Sequence, residues 1–200
     1  MSDLAPLHGL VLAGGSSTRM QRDKAALDFH GRPQLEWAFE LLGRHCDRVF
    51  VSVRADQRAE TVRAAMPQIV DGHAGIGPIA GIDAAQAAHP AAAWLVLACD
   101  LPFVDDAALS RLVDARRPDR AITAYRSTHD GLPEPLCAIY EPASAPAVQA
   151  AIAAGRHCPR KLVITSGVPL LTQEAASLGN VNTPEDFAAA SRLIAGGSRS

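Results

Sequence analysis

The stretch Gly9-Leu10-Val11-Leu12-Ala13-Gly14-Gly15-Ser16-Ser17-Thr18-Arg19-Met20-Gln21-Arg22-Asp23-Lys24 decides how this chain is read. Its opening residues form an apolar run suited to a strand buried on both faces, as in a parallel sheet. Gly14 and Gly15 then let the backbone turn sharply and bring bare N–H groups close to an anion. Arg19 follows as a flat fork of donors and Lys24 as a mobile point charge, and together they can neutralise a triphosphate. A tight turn leading into a basic surface helix, with Arg19 paired to Asp23 or Asp28, stays open on the loop alone. Two commoner phosphate loops are excluded. A Walker A loop needs Gly-Lys-Ser/Thr, and no lysine follows a glycine anywhere in the chain. The dinucleotide fingerprint needs Gly-x-Gly-x-x-Gly, whereas Gly14 opens Gly-Gly-Ser-Ser-Thr-Arg with no acidic residue closing a second strand at the expected distance.

Working outward, short apolar runs alternate with amphipathic stretches. Helices are expected over Pro33–Leu42, Ala55–Met66, Ala80–Ala88 and Asp106–Ala115, with strands at Arg48–Val53, Gln68–Asp71 and Trp94–Cys99 between them. This alternation predicts βαβ units, a mainly parallel sheet and helices on both faces. Beyond it come strands Ala121–Tyr125 and Leu136–Tyr140, helix Ala143–Ala154, and a last helix with Thr183 as its cap, Pro184 at its first position and Asp186 at its third. Ligands of such sheets sit beyond the carboxyl ends of the strands, which gathers the loop after Leu12, Asp71 and Asp100 on one edge.

The 200 residues and 48% apolar content suit one compact domain, expected over 1–195 with 196–200 as a tail. Aromatics are scarce, so alanine, valine and leucine supply the packing, which fits an α/β fold better than a β-barrel. A net charge of −2 offers a nucleic acid backbone no long-range attraction and favours a small anionic ligand. Cys46, Cys99, Cys137 and Cys158 show no Cys-x-x-Cys pair and no histidine at zinc spacing, and are expected as reduced, mostly buried thiols. With no export signal and no apolar run of about 20 residues, a cytoplasmic protein is expected, with no membrane partner.

Asp100 ends the strongest buried-strand segment, in Ala98-Cys99-Asp100-Leu101-Pro102-Phe103. A carboxylate there can hold Mg2+, with water and phosphate oxygens completing the shell. It can also cap a helix, although Pro102 and Phe103 intervene and Asp105 is the better cap. Asp71 before Gly72 reads equally as a turn former. Gly77-Pro78-Ile79-Ala80-Gly81 reads as a rigid loop with a helix start at Pro78, and Asn180 and Asn182 as ordinary turn formers.

Leu12-Ala13-Gly14-Gly15, Arg19-Met20 and Asp23-Lys24 resemble the signature of the molybdenum cofactor guanylyltransferases, the MobA-like nucleotidyltransferases. Sugar-nucleotide pyrophosphorylases share the opening glycines, but their Pro-Lys lies well beyond the arginine, and no proline separates Arg19 from Lys24. Gly77–Gly81, the Cys-Asp-x-Pro segment at Cys99–Pro102 and Asn180-Val181-Asn182-Thr183-Pro184 extend the resemblance in family order as far as Phe187. It implies a single Rossmann-like three-layer domain and transfer of GMP from GTP to the phosphate of a molybdenum-pterin cofactor, with release of pyrophosphate. GTP would be held by Leu12, Ala13, Gly14, Gly15, Lys24, Ser52, Asp71, Gly81 and Asp100, with Mg2+ on Asp100. Lys24, Arg19 and Asp100 would carry catalysis, Asn180 and Asn182 would face the acceptor, and cofactor-synthesis or acceptor proteins would make transient contact. Three positions depart from the family pattern: Gln21 for a frequent glycine, Ser52 for an asparagine, and Gly131-Leu132-Pro133-Glu134-Pro135-Leu136 for Gly-Arg-x-His-Pro-Leu. These touch the base and acceptor sides. They leave as rivals a cytidylyltransferase of the same cofactor, another small-acceptor nucleotidyltransferase, and a nucleotide-binding adaptor without turnover.

Overall fold

A computed structural model describes residues 4–14, 23–117, 119–128, 130–172, 179–181 and 183–197. The first apolar runs form β1 (Leu7–Leu12), β2 (Arg48–Val53), β3 (Gln68–Val70) and β4 (Ala93–Ala98), which lie parallel. With β5 (Ile122–Arg126) and β6 (Pro133–Tyr140) they make one six-stranded sheet of order β3-β2-β1-β4-β6-β5, in which β6 is antiparallel to both neighbours. The sheet is therefore mixed but mostly parallel, as expected. The chain winds outward from β1 in one direction through β2 and β3, then crosses back to start β4 on the other side of β1. That reversal opens a crevice at the carboxyl ends of β1 and β4.

The described α-helices are α1 (Gln34–Gly43), α2 (Thr61–Ala64), α3 (Pro78–Ala88), α4 (Asp106–Asp114), α5 (Ala145–Ala153), α6 (Pro159–Thr165) and α7 (Pro184–Gly197). Alternate residues of β1 and β4 point into different cores. Val11, Leu95 and Leu97 pack with α1 and α4 through Leu35, Leu42, Leu109 and Leu112. Leu10, Trp94 and Val96 pack with α3, α5 and α6 through Ile79, Ile82, Val148 and Val163. Both faces of the sheet are thus buried, which is why these strands read as unbroken apolar runs. A third, smaller cluster joins Leu27 and Phe29 to Val181, Phe187 and Ala190, and so ties α7 to the segment after Lys24.

The helix expected over Ala55–Met66 is broken in two. Ala55–Gln57 is a 3-10 turn closed by Gln57 Oε1 accepting from Arg54 N at 3.3 Å, and α2 begins anew after extended Glu60 (φ −66°, ψ 135°). The break turns Arg63 into the protein, where its side chain is fully buried. β6 starts earlier than expected because Pro133 and Pro135 lie where it pairs only with β5, beyond an irregularity at Ala124/Tyr125, so the missing N–H groups interrupt no inner ladder. The helix over Ala80–Ala88 begins at Pro78, the start read from the Gly77–Gly81 segment, after Gly77 at φ 79°. The sequence reading assigned no element to α6, and α7 continues through Gly196 and Gly197 into the expected tail. Asp105 does cap α4, accepting from Ala108 N at 2.8 Å, and Thr183 exchanges reciprocal bonds with Asp186.

Arg116 and Glu141 form a buried two-pronged ion pair at 2.8 and 3.0 Å, and Arg116 also donates to the Ala5 carbonyl at 3.0 Å. On the outer side of β5, Leu171 bridges Tyr125 in parallel: Arg126 N donates to Leu171 O at 2.8 Å and Leu171 N to Ala124 O at 3.0 Å. All four cysteines are free. Cys99 and Cys137 are buried, but Cys158 is exposed, which narrows the expectation of buried thiols. Among the described residues no helix is long and apolar enough to cross a membrane.

Candidate active site

Register brings the chemistry together. Leu12 is paired with Ser52 on one side and with Ala98 on the other, so the residues just past β1, β2 and β4 emerge side by side. A cleft of about 620 Å3 opens there, a size usual for small-ligand sites. Leu12, Ala13, Gly14, Lys24, Ser52, Asp71 and Asp100, all expected from the sequence, line it. Gly81 lies behind them, packed against Ser52 and Leu12. Asn180 is exposed, yet its neighbour Val181 donates its N–H to the Asp100 carbonyl at 2.8 Å, so this segment borders the same edge. Gly15, Arg19 and Asn182 fall outside the described residues, as does departing Gln21.

Lys24 opens a 3-10 turn, Lys24–Ala26, capped by Asp23, and its Nζ stands 3.4 Å from Asp100 Oδ2. The other oxygen, Asp100 Oδ1, is buried without a hydrogen-bond partner among the described residues. An orphaned carboxylate oxygen in a cleft suits a hard cation. No group of three or more His, Cys, Asp or Glu side chains among the described residues could hold a metal unaided. The donor set fits an ion that takes most of its shell from water and phosphate oxygens, as Mg2+ does.

The far side of the cleft is built on close backbone approach. A Cβ on Gly14 would come 3.1 Å from Asp71 Oδ2, and one on Gly81 would come 2.3 Å from Ser52 Oγ. At Gly81 a side chain would force a shift, whereas at Gly14 the Asp71 carboxylate would have to give by only a few tenths of an ångström. Ser52 Oγ donates to Asp71 Oδ1 at 2.6 Å, and burial pushes the Asp71 carboxyl above its usual range although Ser52 and Arg54 oppose the shift. Arg54 Nη1 donates to the Gly14 carbonyl at 2.7 Å, while its Nε and Nη2 hold Asp56, both at 3.1 Å. Sequence reasoning passed over Arg54. Its spacing of two from Ser52 on an extended run was the available signal.

Sequence reasoning also passed over Arg63, which binds the Asp23 carboxylate through two nitrogens and the Ala13 carbonyl. Burial alone would raise the Asp23 pKa, but Arg63 and the Ala25 N–H outweigh it and hold the carboxyl below the ordinary range. On the acceptor-side departure, Leu136 lines the cleft and Glu134 is buried. Burial pushes Glu134 up against opposition from Leu136 N, which donates at 3.0 Å, and from Arg160 at 3.7 Å.

The arrangement sets Lys24 and Arg54 beside Asp71 and Asp100 at a topological switch point, where ligands of open α/β sheets bind. Comparisons with known proteins agree with it. The chain is 35% identical over 183 residues to the molybdenum cofactor biosynthesis bifunctional protein of Synechocystis sp., covering 91% of this chain but only 53%, about half, of that longer protein. It is 33% identical to the molybdenum cofactor guanylyltransferase of Pseudomonas aeruginosa, covering 92% of this chain and 94% of the relative. The crystal structure of molybdopterin-guanine dinucleotide biosynthesis protein A from Archaeoglobus fulgidus superposes with a TM-score of 0.76 at 26% identity, covering 94% of this chain and 99% of the other. The model of the MobA-like NTP transferase domain matches residues 9–176, and the chain belongs to that family.

Proposed function

We propose that this protein transfers GMP from GTP to the terminal phosphate of a molybdenum-pterin cofactor and releases pyrophosphate. The observation that carries the reading is the convergence of Gly14, Lys24, Asp71 and Asp100 from four separate segments on one cleft, with Lys24 Nζ 3.4 Å from Asp100 Oδ2. The guanosine end would lie toward Ser52 and Asp71, and the triphosphate would run from Gly14 toward Lys24. An oxygen of the acceptor phosphate attacks the α-phosphorus. The bond from that phosphorus to the bridging oxygen breaks, and its electron pair leaves with pyrophosphate. Lys24 offsets the charge that grows on this leaving group. The acceptor phosphate is already ionised, so no side chain has to remove a proton, and catalysis is mostly alignment and charge stabilisation. Asp100 would hold Mg2+ through Oδ1, and the ion when bound would supply further charge neutralisation on the phosphate oxygens.

The test is pyrophosphate release from GTP and a molybdopterin-type acceptor in the presence of Mg2+, with CTP as the competing donor. Turnover with GTP well above CTP is expected. A preference for CTP gives the cytidylyl reaction instead, and tight binding with no release makes the protein an adaptor. Asp100→Ala should lower turnover by about 10²-fold or more while leaving the melting temperature near that of the parent. Unchanged turnover in that variant removes the metal role.

A further inference from the structure

Arg63 belongs to α2, a short helix outside the cleft, and its side chain is fully shielded from solvent. Its guanidinium nonetheless serves two other segments that flank the glycine turn in sequence. Nη2 donates to the carbonyl of Ala13, the first residue past β1, at 2.7 Å. Nη1 and Nη2 donate to Asp23 Oδ2 and Oδ1 at 2.5 and 2.8 Å, and Nη1 also meets the Glu60 carboxylate of its own turn. Asp23 is at the same time the cap of the Lys24–Ala26 turn, accepting from Ala25 N at 3.1 Å. One planar fork therefore fixes the distance and angle between the end of β1 and the peptide that launches Lys24. A lysine at this site could supply the charge but not the paired geometry.

We propose that Arg63 is a positioning residue for Lys24: through Asp23 it aims the ammonium at the site beside Asp100 where the β- and γ-phosphates would lie. The assignment rests on the triphosphate reading above. Its effect on the triphosphate runs through Asp23 and Lys24, and Asp23→Asn, which leaves the Ala13 bond in place, separates that path from a general structural role. A purely structural arginine would weaken every ligand of the cleft, and its loss would add to the loss of Lys24.

The experiment is calorimetric titration of GTP and of GMP into the full chain and its Arg63→Lys, Asp23→Asn, Lys24→Ala and Arg63→Lys/Lys24→Ala variants. Arg63→Lys should weaken GTP about tenfold and leave GMP within about twofold, since only the triphosphate reaches Lys24. In the Lys24→Ala background the same change should weaken GTP no further. Asp23→Asn should behave like Arg63→Lys, and because an amide oxygen can still cap Ala25 it carries the comparison if the buried arginine cannot be replaced without unfolding. Equal losses for both nucleotides, additive losses in the double variant, or parental GTP affinity in both Arg63→Lys and Asp23→Asn would each overturn the assignment. Failure of the parent chain itself to bind GTP is a different result, which withdraws the nucleotidyl-transfer reading and this role with it.

Discussion

Gly81→Ala tests whether the close approach of α3 to β2 is as tight as the geometry requires. An added Cβ would lie 2.3 Å from Ser52 Oγ and 3.0 Å from both Ser52 Cβ and Leu12 Cδ2, closer than side chains tolerate. Either the Ser52 hydroxyl swings away from Asp71, or α3 lifts from the sheet. The first route gives up a hydrogen bond to a charged group, about 1.5–3 kcal/mol, and the second is overpacking at about 1–3 kcal/mol. Alanine in place of glycine inside a helix returns about 1 kcal/mol. The net loss is then about 0.5–2 kcal/mol by the first route and about 0–2 kcal/mol by the second, a fall in Tm of at most about 8 °C for a chain of this size. Thermal unfolding of Gly81→Ala, Ser52→Ala and the double variant measures it. Removing the hydroxyl first should shrink the penalty of the added methyl, a coupling that only residues in contact show. Strict additivity in the double variant would refute the reasoning.

Two further outcomes follow from buried charge. Arg116→Ala leaves Glu141 without its partner in a site where both side chains are 6% exposed, so denaturant unfolding should show a loss of about 3–5 kcal/mol. A loss below about 1 kcal/mol contradicts the burial of that pair. For Asp71 the sign runs toward instability at neutral pH: burial raises its folded pKa, so the stability it contributes is present below its unfolded value and is lost as pH rises through the folded one. Asp71→Asn cannot ionise and should melt above the parent at about pH 7–8, with the gap closing below about pH 4. A gap that widens on acidification removes the desolvation account. The same variant should bind GTP more weakly, the usual exchange between stability and function at a site.

The positions of Gly14, Asp71 and Asp100 were legible because each ends a strand whose apolar run stops there, and a parallel sheet collects such ends on one edge. Lys24 was legible as a cation, but not as the neighbour of Asp100, since their sequence separation of 76 is closed only by the crossing from β3 to β4. Arg63 was hidden for a different reason. It sits in a stretch that scans as one surface helix, and its partners Asp23 and Ala13 are 40 and 50 positions away. Tertiary bonding broke that helix at Glu60, which no local propensity signals. The run Pro159–Thr165 escaped notice because seven residues span barely two turns and carry little periodicity.

The bridge that Leu171 makes to β5 bears on how these molecules behave in a crowded solution. An outermost strand with a long row of open peptide groups recruits neighbouring chains and seeds fibrous aggregates. Here that row is occupied at Ala124 and Arg126 and distorted at Ala124/Tyr125, while at the opposite margin of the sheet β3 offers only three residues. Leu171→Pro would remove the N–H that Ala124 O accepts and loosen this cover, and the cost would show as precipitation on concentrating the protein.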